Sequence, residues 1–275
     1  MLTNYPRNII AAVLAIAPAV HAQEFRVHTT VSEVSPAIRA KSRPASHGLM
    51  LFHAGRIYDY LEESRELVIH DPAHNRFLVL SDPHNLATEI SEDEVRHFLD
   101  IANQHARDEI GKLQQRGGTK LSTLSALEFQ LIPQFEVKHD LAAQILTLHS
   151  SVLQYQVRYD KAPSPEILQA YLRTADWTAQ LNSVLNPHAM LPGPRLRLNE
   201  ELKKIGALPV EVELRIAGDH PVHLRAKHEW TWGELNQTNR MYIDHWESQV
   251  RKPESAPIPF REFQQKTLVS DNRKR

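Results

Sequence analysis

The chain has 275 residues, with 32 basic and 33 acidic side chains, a net charge of −1 and no cysteine. This near balance gives no electrostatic case for binding nucleic acid or an anionic membrane surface. Without cysteine, neither disulfides nor a lipid anchor on a lipoprotein cysteine are expected. The chain must be stabilised by its hydrophobic core, and its length suffices for one large core or two small ones.

Residues 1–22 have the pattern of a secretory signal peptide. Arg7 is the only charged residue in this segment, and residues 9–20 are apolar and rich in alanine. Val20 and Ala22 fit the −3 and −1 positions of a cleavage site, so the mature chain is expected to start at Gln23. A membrane anchor is the alternative, but this apolar run of about a dozen residues is shorter than the roughly twenty that span a bilayer. The sequence predicts an exported, periplasmic or extracellular protein.

Short apolar runs that resemble β-strands follow the signal segment. They lie at residues 25–31, 49–52, 57–61, 67–70, 77–80 and 86–90. Gly55, Asp71-Pro72 and Asp82-Pro83 separate the later runs and supply turn chemistry, because Pro presets φ and the Asp oxygen accepts from the backbone. Strands spaced by about ten residues favour a sheet, sandwich or barrel over βαβ units.

Several helices have recognisable boundary signals. These are Ser91 with Glu94 as a capping box, Ser164 with Pro165 at the first helical position, Gly206 after residues 195–205, and Asn236 before residues 237–250. The run at residues 121–131 is compatible with either a helix or a strand. Two further stretches alternate apolar and polar residues, at 153–159 and in a hairpin over 210–230. This alternation predicts strands with one apolar and one wet face.

Together these elements predict an α+β fold. We expect a curved antiparallel β-meander, half-barrel-like in shape, whose concave side is covered by helices, in a single domain over residues 23–250. Two domains that divide near Gly117-Gly118 are the alternative. Residues 251–275 contain three prolines and a basic end, which predicts a mobile tail.

Chemical motifs are scarce in this chain. Sixteen histidines invite a metal hypothesis, and the closest groups are His70 with His74 and His220 with His223 and His228. Neither group has the spacing or the carboxylate partner of a known metal motif, so no metal and no cofactor are expected. Asp71 and Asp82 precede prolines at strand ends and are interpreted as turn residues rather than as a catalytic carboxylate pair. No nucleophile motif occurs, and no catalytic residue is predicted.

Two tyrosine pairs are the candidate ligand-binding residues. Tyr58 and Tyr60 share one face of a predicted strand, and Tyr155 and Tyr159 share one face of another. Aromatic pairs of this kind line ligand cavities or pack in the core. The four residues are therefore the candidates to line a cavity, although such pairs more often pack in the core or on a sheet face.

The segment from Leu49 to Phe98 carries a family resemblance. His53–Tyr60, Ile69–Pro72, Arg76–Pro83 and Thr88–Ser91 follow a gly-x-ile-tyr-asp, asp-pro, asp-pro, thr-glu pattern. In this pattern the chain resembles a group of exported bacterial proteins of unknown function. In layout alone it also resembles the half-barrel scaffold of periplasmic lipoprotein carriers. The second resemblance implies a concavity that holds acyl chains, but no carrier motif is present from which to transfer a binding residue.

These observations lead to three hypotheses. The first is a soluble, exported, non-enzymatic protein that binds an apolar or lipid-like ligand in the concavity of the sheet. The second is a structural or protein-interaction module with a filled core, and the third is a hydrolase with an unrecognised site. A cavity of several hundred Å³ between sheet and helices would favour the first hypothesis. Convergent His, Asp or Glu side chains with shifted pKa values would favour the third.

Overall fold

The computed structural model describes residues 24–34, 44–116, 121–186, 189–218, 221–252 and 256–272. The strands are β1 (Phe25–Glu33), β2 (Pro44–His53), β3 (Arg56–Leu61), β4 (Glu66–Asp71), β5 (Arg76–Ser81), β6 (Leu86–Ser91), β7 (Glu136–Asp140), β8 (Ile145–His149), β9 (Leu153–Lys161), β10 (Ala207–Ile216) and β11 (Val222–Trp232). The helices are α1 (Glu92–Arg116), α2 (Leu121–Leu131), α3 (Pro165–Leu185), α4 (Gly193–Ile205), α5 (Gln237–Val250) and α6 (Phe260–Asn272). The ambiguous run at 121–131 is therefore a helix.

All these strands belong to one open, curved antiparallel sheet. Its order is β6-β5-β4-β3-β2-β1-β11-β10-β9-β8-β7, so two meanders meet where β1 pairs with β11. In that pairing Phe25 lies opposite Trp232 and Val27 lies opposite Trp230. The predicted fold class, α+β with a curved antiparallel meander covered by helices, is confirmed.

The two faces of the sheet differ because side chains alternate along each strand. Phe25, Phe52, Ile57 and Phe77 lie on the face that contacts α1–α4 and α6, which we call the helical face. Burial of each such side chain contributes roughly 1.5–3 kcal/mol. The concave side predicted from the sequence corresponds to this helical face.

The opposite face is covered only in part. Over β2–β6, Ile243 and Trp246 of α5 pack against a cluster that includes Leu51 and Ile69. Over β9–β11 the same face carries charged side chains, and Arg225 Nε donates to Glu213 Oε1 at 3.0 Å. This agrees with the wet face predicted for the hairpin.

The predicted helix boundaries rest on observed hydrogen bonds. Ser91 N donates to Glu94 Oε2 at 2.9 Å and Glu94 N donates to Ser91 Oγ at 3.2 Å, which is the reciprocal capping box. The Ser164 hydroxyl accepts from the first turn of α3, and the Asn236 side chain does so for α5. Gly206 ends α4 with a φ of 68°.

The turns of the first meander also follow their sequence signals. Gly55 has a φ of 77° between β2 and β3. At the next turns, the backbone oxygens of Asp71 and Asp82 accept from residues three positions later, and Asn75 and Asn85 then adopt φ values of 51° and 48°. The interpretation of both aspartates as turn residues is confirmed. Asn tolerates the left-handed conformation that closes each turn.

Part of the segment after residue 250, for which the sequence predicts a mobile tail, has contacts and a helix that sequence reasoning did not predict. Ile258 N donates to Ala87 O at 2.9 Å, and Thr88 Oγ1 donates to Ile258 O at 2.8 Å, so the chain is held against β6. Helix α6 then buries Phe260 and Phe263 against the helical face. The mobility of the tail stays a prediction, and the apolar pair Phe260 and Phe263 is the feature that anchors α6.

Residues 1–22, predicted as a signal peptide, and Gly117-Gly118, the alternative domain boundary, lie outside the described residues. Among the residues that are described, no helix combines the length and the apolar character needed to cross a membrane.

Candidate ligand-binding site

Helix α3 crosses the helical face and defines the candidate site. Its buried side chains contact two separate clusters of the core, with Tyr171 and Ala175 in one and Trp177 and Leu181 in the other. The contact is incomplete, because cavities remain between α3 and the strands on different sides of the helix. The concavity is therefore not filled entirely by the protein's own helices.

The first cavity has a volume of about 310 Å³ and lies between β1, β2, β3, β11, α3 and α4. Its lining includes Val27, Thr29, Gly48, Met50, Asp59, Leu61, Tyr171, Ala175, Thr178, Ala179, Asn182, Arg195 and His228. A second space of about 120 Å³ shares Asp59, Leu61, Thr178 and Asn182 with it and continues to Val68, Val79, Leu181 and Phe263. We call the two adjoining spaces the Asp59 channel.

Asp59 occupies a position where the strand pattern calls for an apolar residue. Its neighbours across the sheet are Met50 and Val68, and both side chains line the channel with it. The Asp59 carboxyl has no hydrogen-bond or ion-pair partner among the described residues. Burial among these neighbours raises its pKa to about 6. An unpaired carboxyl with a raised pKa inside a cavity is a common mark of a functional site.

Arg195 supplies the opposite charge at the α4 end of the channel. Its Nε donates to Asn199 Oδ1 at 3.2 Å, and Asn199 Nδ2 donates to Asp176 Oδ1 at 2.7 Å. Asn199 is 2% exposed and so holds the guanidinium in place. Arg195 forms no ion pair with any residue in the described parts of the chain. A positioned cation without an ion-pair partner is available to an anionic ligand group.

His228 lies beside these charges on β11. Its Nδ1 is 2.9 Å from Thr29 Oγ1, whereas its Nε2 is buried without a hydrogen-bond partner. Burial, reinforced by the Arg195 charge, lowers the pKa of His228 to about 3. The imidazole is therefore neutral at pH 7 and adds no charge to the channel.

The second cavity, on the other side of α3, has a volume of about 390 Å³. Its lining includes His70, which forms a buried pair with Glu92. His70 Nε2 lies 3.0 Å from Glu92 Oε1, and Arg96 Nη2 lies 3.2 Å from Glu92 Oε2. Burial lowers the pKa of His70, and its Nδ1 is buried without a partner. A neutral imidazole here donates through Nε2 to the carboxylate, which fixes its tautomer. No serine, threonine or tyrosine hydroxyl in the described ranges hydrogen-bonds to His70.

The four predicted tyrosines separate into different environments. Tyr60 lines a cavity of about 500 Å³ on the opposite face of the sheet, beside α5. Tyr58 is buried, and its hydroxyl donates to Glu247 Oε1 at 2.8 Å. Tyr155 and Tyr159 lie in the main core cluster and line neither the Asp59 channel nor the cavity beside His70. Of the four, Tyr60 alone lines one of the cavities described here.

The histidine groups highlighted by the sequence have separate partners. His70 pairs with Glu92, whereas His74 Nδ1 lies 2.9 Å from Asp71 Oδ2. His223 Nε2 lies 3.3 Å from Glu213 Oε2 on the wet face, while His228 lines the channel on the helical face. Within the described ranges, no three His, Asp or Glu side chains converge as metal ligands would.

Sequence reasoning missed Asp59, Arg195 and His228 as site residues. A signal was present for two of them, because Asp59 follows Ile57 and His228 follows Ala226 in the apolar alternation of their strands. A titratable residue on the inward face of an amphipathic strand is costly to bury and so marks a candidate site. Arg195 had no such signal, because its role depends on where α4 packs.

Comparison with known proteins finds no family model that matches the chain and no matching curated protein.

Proposed function

We propose that this protein binds a lipid-like ligand with an acidic head group in the Asp59 channel. The observation that carries the proposal is an apolar channel under α3 that ends at an unpaired cation, Arg195, and contains an unpaired carboxyl, Asp59. A structural module with a filled core would leave neither the space nor the two unpaired charges.

The apolar lining accounts for the tail of such a ligand. Met50, Leu61, Val68, Leu181 and Phe263 form walls of the channel. Burial of about eight methylene groups at about 0.8 kcal/mol each contributes about 6 kcal/mol. A charge-assisted hydrogen bond to the head group adds about 2 kcal/mol, which together corresponds to a dissociation constant of order micromolar.

The charges account for the head group. Arg195 attracts a carboxylate or phosphate because it has no ion-pair partner of its own among the described residues. Asp59 would repel such a group if ionised, but its pKa of about 6 allows it to take up a proton as the ligand enters. Two acidic groups that share one proton beside one guanidinium have no net charge. Binding is therefore coupled to proton uptake.

The proposal also includes export in soluble form. Its support is the signal-peptide pattern of residues 1–22 and the cleavage site before Gln23. Mass spectrometry of the protein recovered from its native host would test this directly. A chain that begins at Gln23 supports export, and a chain that keeps residues 1–22 in the cytoplasmic fraction contradicts it.

The test of binding uses isothermal titration of the purified mature protein with dodecanoate, and with dodecanol as the uncharged match. The blocking variant is Gly48→Leu. A Cβ at Gly48 would meet no atom closer than 3.7 Å, and its nearest contacts, Leu61 and Thr29, lie on the helical face. Gly111→Leu on α1 is the matched control, because a Cβ there has nothing within 4 Å.

We expect one saturable site for dodecanoate, with at least tenfold weaker binding in Gly48→Leu and unchanged binding in Gly111→Leu. Arg195→Met should weaken dodecanoate binding about tenfold and leave dodecanol unaffected, since only the head-group contact is lost. Either of two results would overturn the proposal. One is equal affinity of the wild type and Gly48→Leu for dodecanoate, and the other is no saturable binding of either probe by delipidated protein.

A hydrolytic function is the second candidate, and it rests on the His70–Glu92 pair. A histidine oriented by a carboxylate beside a cavity of about 390 Å³ has two of the parts of a general-base site. Hydrolysis of short-chain ester substrates that His70→Gln abolishes, while the variant remains folded by circular dichroism, would favour this function. An ester turnover no faster in the wild type than in His70→Gln excludes it.

A further inference from the structure

The largest of the cavities described for this chain lies on the opposite face of the sheet, away from the Asp59 channel. Its volume is about 500 Å³, and it is bounded by β2, β3 and α5. Three aromatic side chains, Tyr60, Tyr242 and Trp246, form one side, and the carboxylates of Glu62 and Asp82 form part of the rim. We infer that this cavity is a second binding site, which takes a compact organic cation of the quaternary ammonium type.

The aromatic rings are grouped and free of protein cations. The Trp246 ring centroid lies 5.4 Å from that of Tyr60 and 5.7 Å from that of Tyr242. Tyr242 lies on α5 one turn before Trp246. Its side chain is 45% exposed, whereas that of Trp246 is buried. No Lys or Arg of the described segments lies over any of these three rings. Trp246 is buried and stacks with Tyr242, so Tyr60 and Tyr242 supply the ring surface that attracts a cation through the ring quadrupole.

Two carboxylates add charge of the required sign. The side chains of Glu62 and Asp82 are exposed and have no hydrogen-bond or ion-pair partner in the described parts of the chain. Both act on the Tyr60 hydroxyl, whose pKa is raised first by burial and then by the Asp82 charge. Arg65 is the nearby opposing charge, but it is not part of the cavity lining. An anionic ligand would be repelled by these two carboxylates, whereas a cation is attracted by them.

Three histidines also line the cavity and decide the conditions of the test. His28, His47 and His245 contribute to its walls, and His47 Nδ1 lies 2.7 Å from Glu63 Oε1. Protonated imidazoles would repel the ligand. The titrations are therefore made at pH 8, above the reference pKa of about 6.5 for a histidine side chain.

The experiment is isothermal titration with choline and with its neutral carbon isostere 3,3-dimethylbutan-1-ol. The two probes have the same shape, so a difference in affinity isolates the contribution of the positive charge. We expect saturable choline binding and at least tenfold weaker binding of the isostere. Tyr242→Leu and the double variant Glu62→Gln with Asp82→Asn should each weaken choline binding about tenfold. Met241→Leu, at a more exposed neighbouring position on α5 that does not line the cavity, should leave it unchanged.

Two further measurements distinguish the source of the ammonium group and the independence of this cavity from the Asp59 channel. Sedimentation with phosphatidylcholine vesicles distinguishes a membrane head group from a free small cation as the source of the ammonium group. Arg195 lines the Asp59 channel and not this cavity, so choline binding should survive in Arg195→Met even though dodecanoate binding is weakened. Three results would overturn the inference. They are equal affinity for choline and its isostere, absence of saturable choline binding, and binding of a neutral sugar where choline does not bind.

Discussion

His70 Nε2 lies 3.0 Å from Glu92 Oε1, and this contact joins strand β4 to the first turn of helix α1. The two side chains are 4% and 5% exposed, so the hydrogen bond is shielded from water. The His70 ring stacks on Phe77 at 4.4 Å, and the edge of Trp177 from α3 completes its surroundings. One polar pair therefore links the sheet, the helix that follows it and the helix that forms the channel.

The first prediction concerns this pair. Glu92→Ala should lower the free energy of unfolding by about 2–4 kcal/mol, because it leaves a buried imidazole without its acceptor. Glu92→Gln retains an acceptor oxygen, so its free energy of unfolding should fall by less. Glu89→Ala removes an exposed carboxylate paired with Arg76 and should change stability by about 0.5 kcal/mol or less. Urea unfolding at pH 7 measures all three. A Glu92→Ala variant as stable as Glu89→Ala would show that the pair does not stabilise the fold.

The second prediction concerns the pH dependence that Asp59 imposes. Its folded pKa of about 6 lies above the ordinary value of 3.8, so the folded state binds the proton more tightly than the unfolded state does. The contribution of Asp59 to the free energy of unfolding is fully present below pH about 4 and is lost as the pH rises through 6. The unfolding free energy of Asp59→Asn minus that of the wild type should therefore increase by about 1–3 kcal/mol between pH 4 and pH 8. A difference that stays flat over this range would mean that the pKa of Asp59 is not raised in the folded protein.

His228 should act in the opposite direction. Its folded pKa of about 3 lies below the ordinary value of 6.5, so its contribution is present above pH 6.5 and lost as the pH falls. Between pH 7 and pH 5 the free energy of unfolding of the wild type should fall by about 2 kcal/mol through His228. His228→Gln should not show this loss. Parallel stability curves for the two proteins between pH 7 and pH 5 would contradict this. His97→Gln, a substitution of an exposed histidine on α1, serves as the control and should follow the wild type.

The fourth prediction concerns α6. Phe263 is 3% exposed and packs in the cluster that contains Trp177 and Leu181. Phe263→Ala should detach the helix and remove the hydrogen-exchange protection of amides in residues 260–272, while those of β3–β5 stay protected. Gln265→Ala on the exposed side of the same helix should retain the wild-type pattern. Fast exchange over α6 in the unaltered protein would restore the prediction of a mobile tail.

Local features of this fold were readable from the sequence because each depends on a few neighbouring residues. Ser91 and Glu94 satisfy each other's backbone donors within one turn of helix, so their spacing alone fixes where α1 begins. Gly55 and the Asp-Pro pairs fix the turns of the first meander in the same way. Strict alternation then determined that Ile57 and Asp59 share one face and Tyr58 and Tyr60 share the other. Which of these faces would enclose a cavity was not encoded at this level.

The tertiary structure decided everything that joins distant segments. Phe25 pairs with Trp232, and only this pairing of the first strand with the last makes the two meanders one sheet. The channel exists because α3 and α4 pack on that sheet without filling it, which places Arg195 near Asp59 and His228. The sequence by itself determined the α+β class, the caps, the turns and the faces of the strands, since those depend on local backbone preferences and side-chain alternation. The site depends on contacts between residues more than a hundred positions apart, and packing of the whole chain sets those contacts.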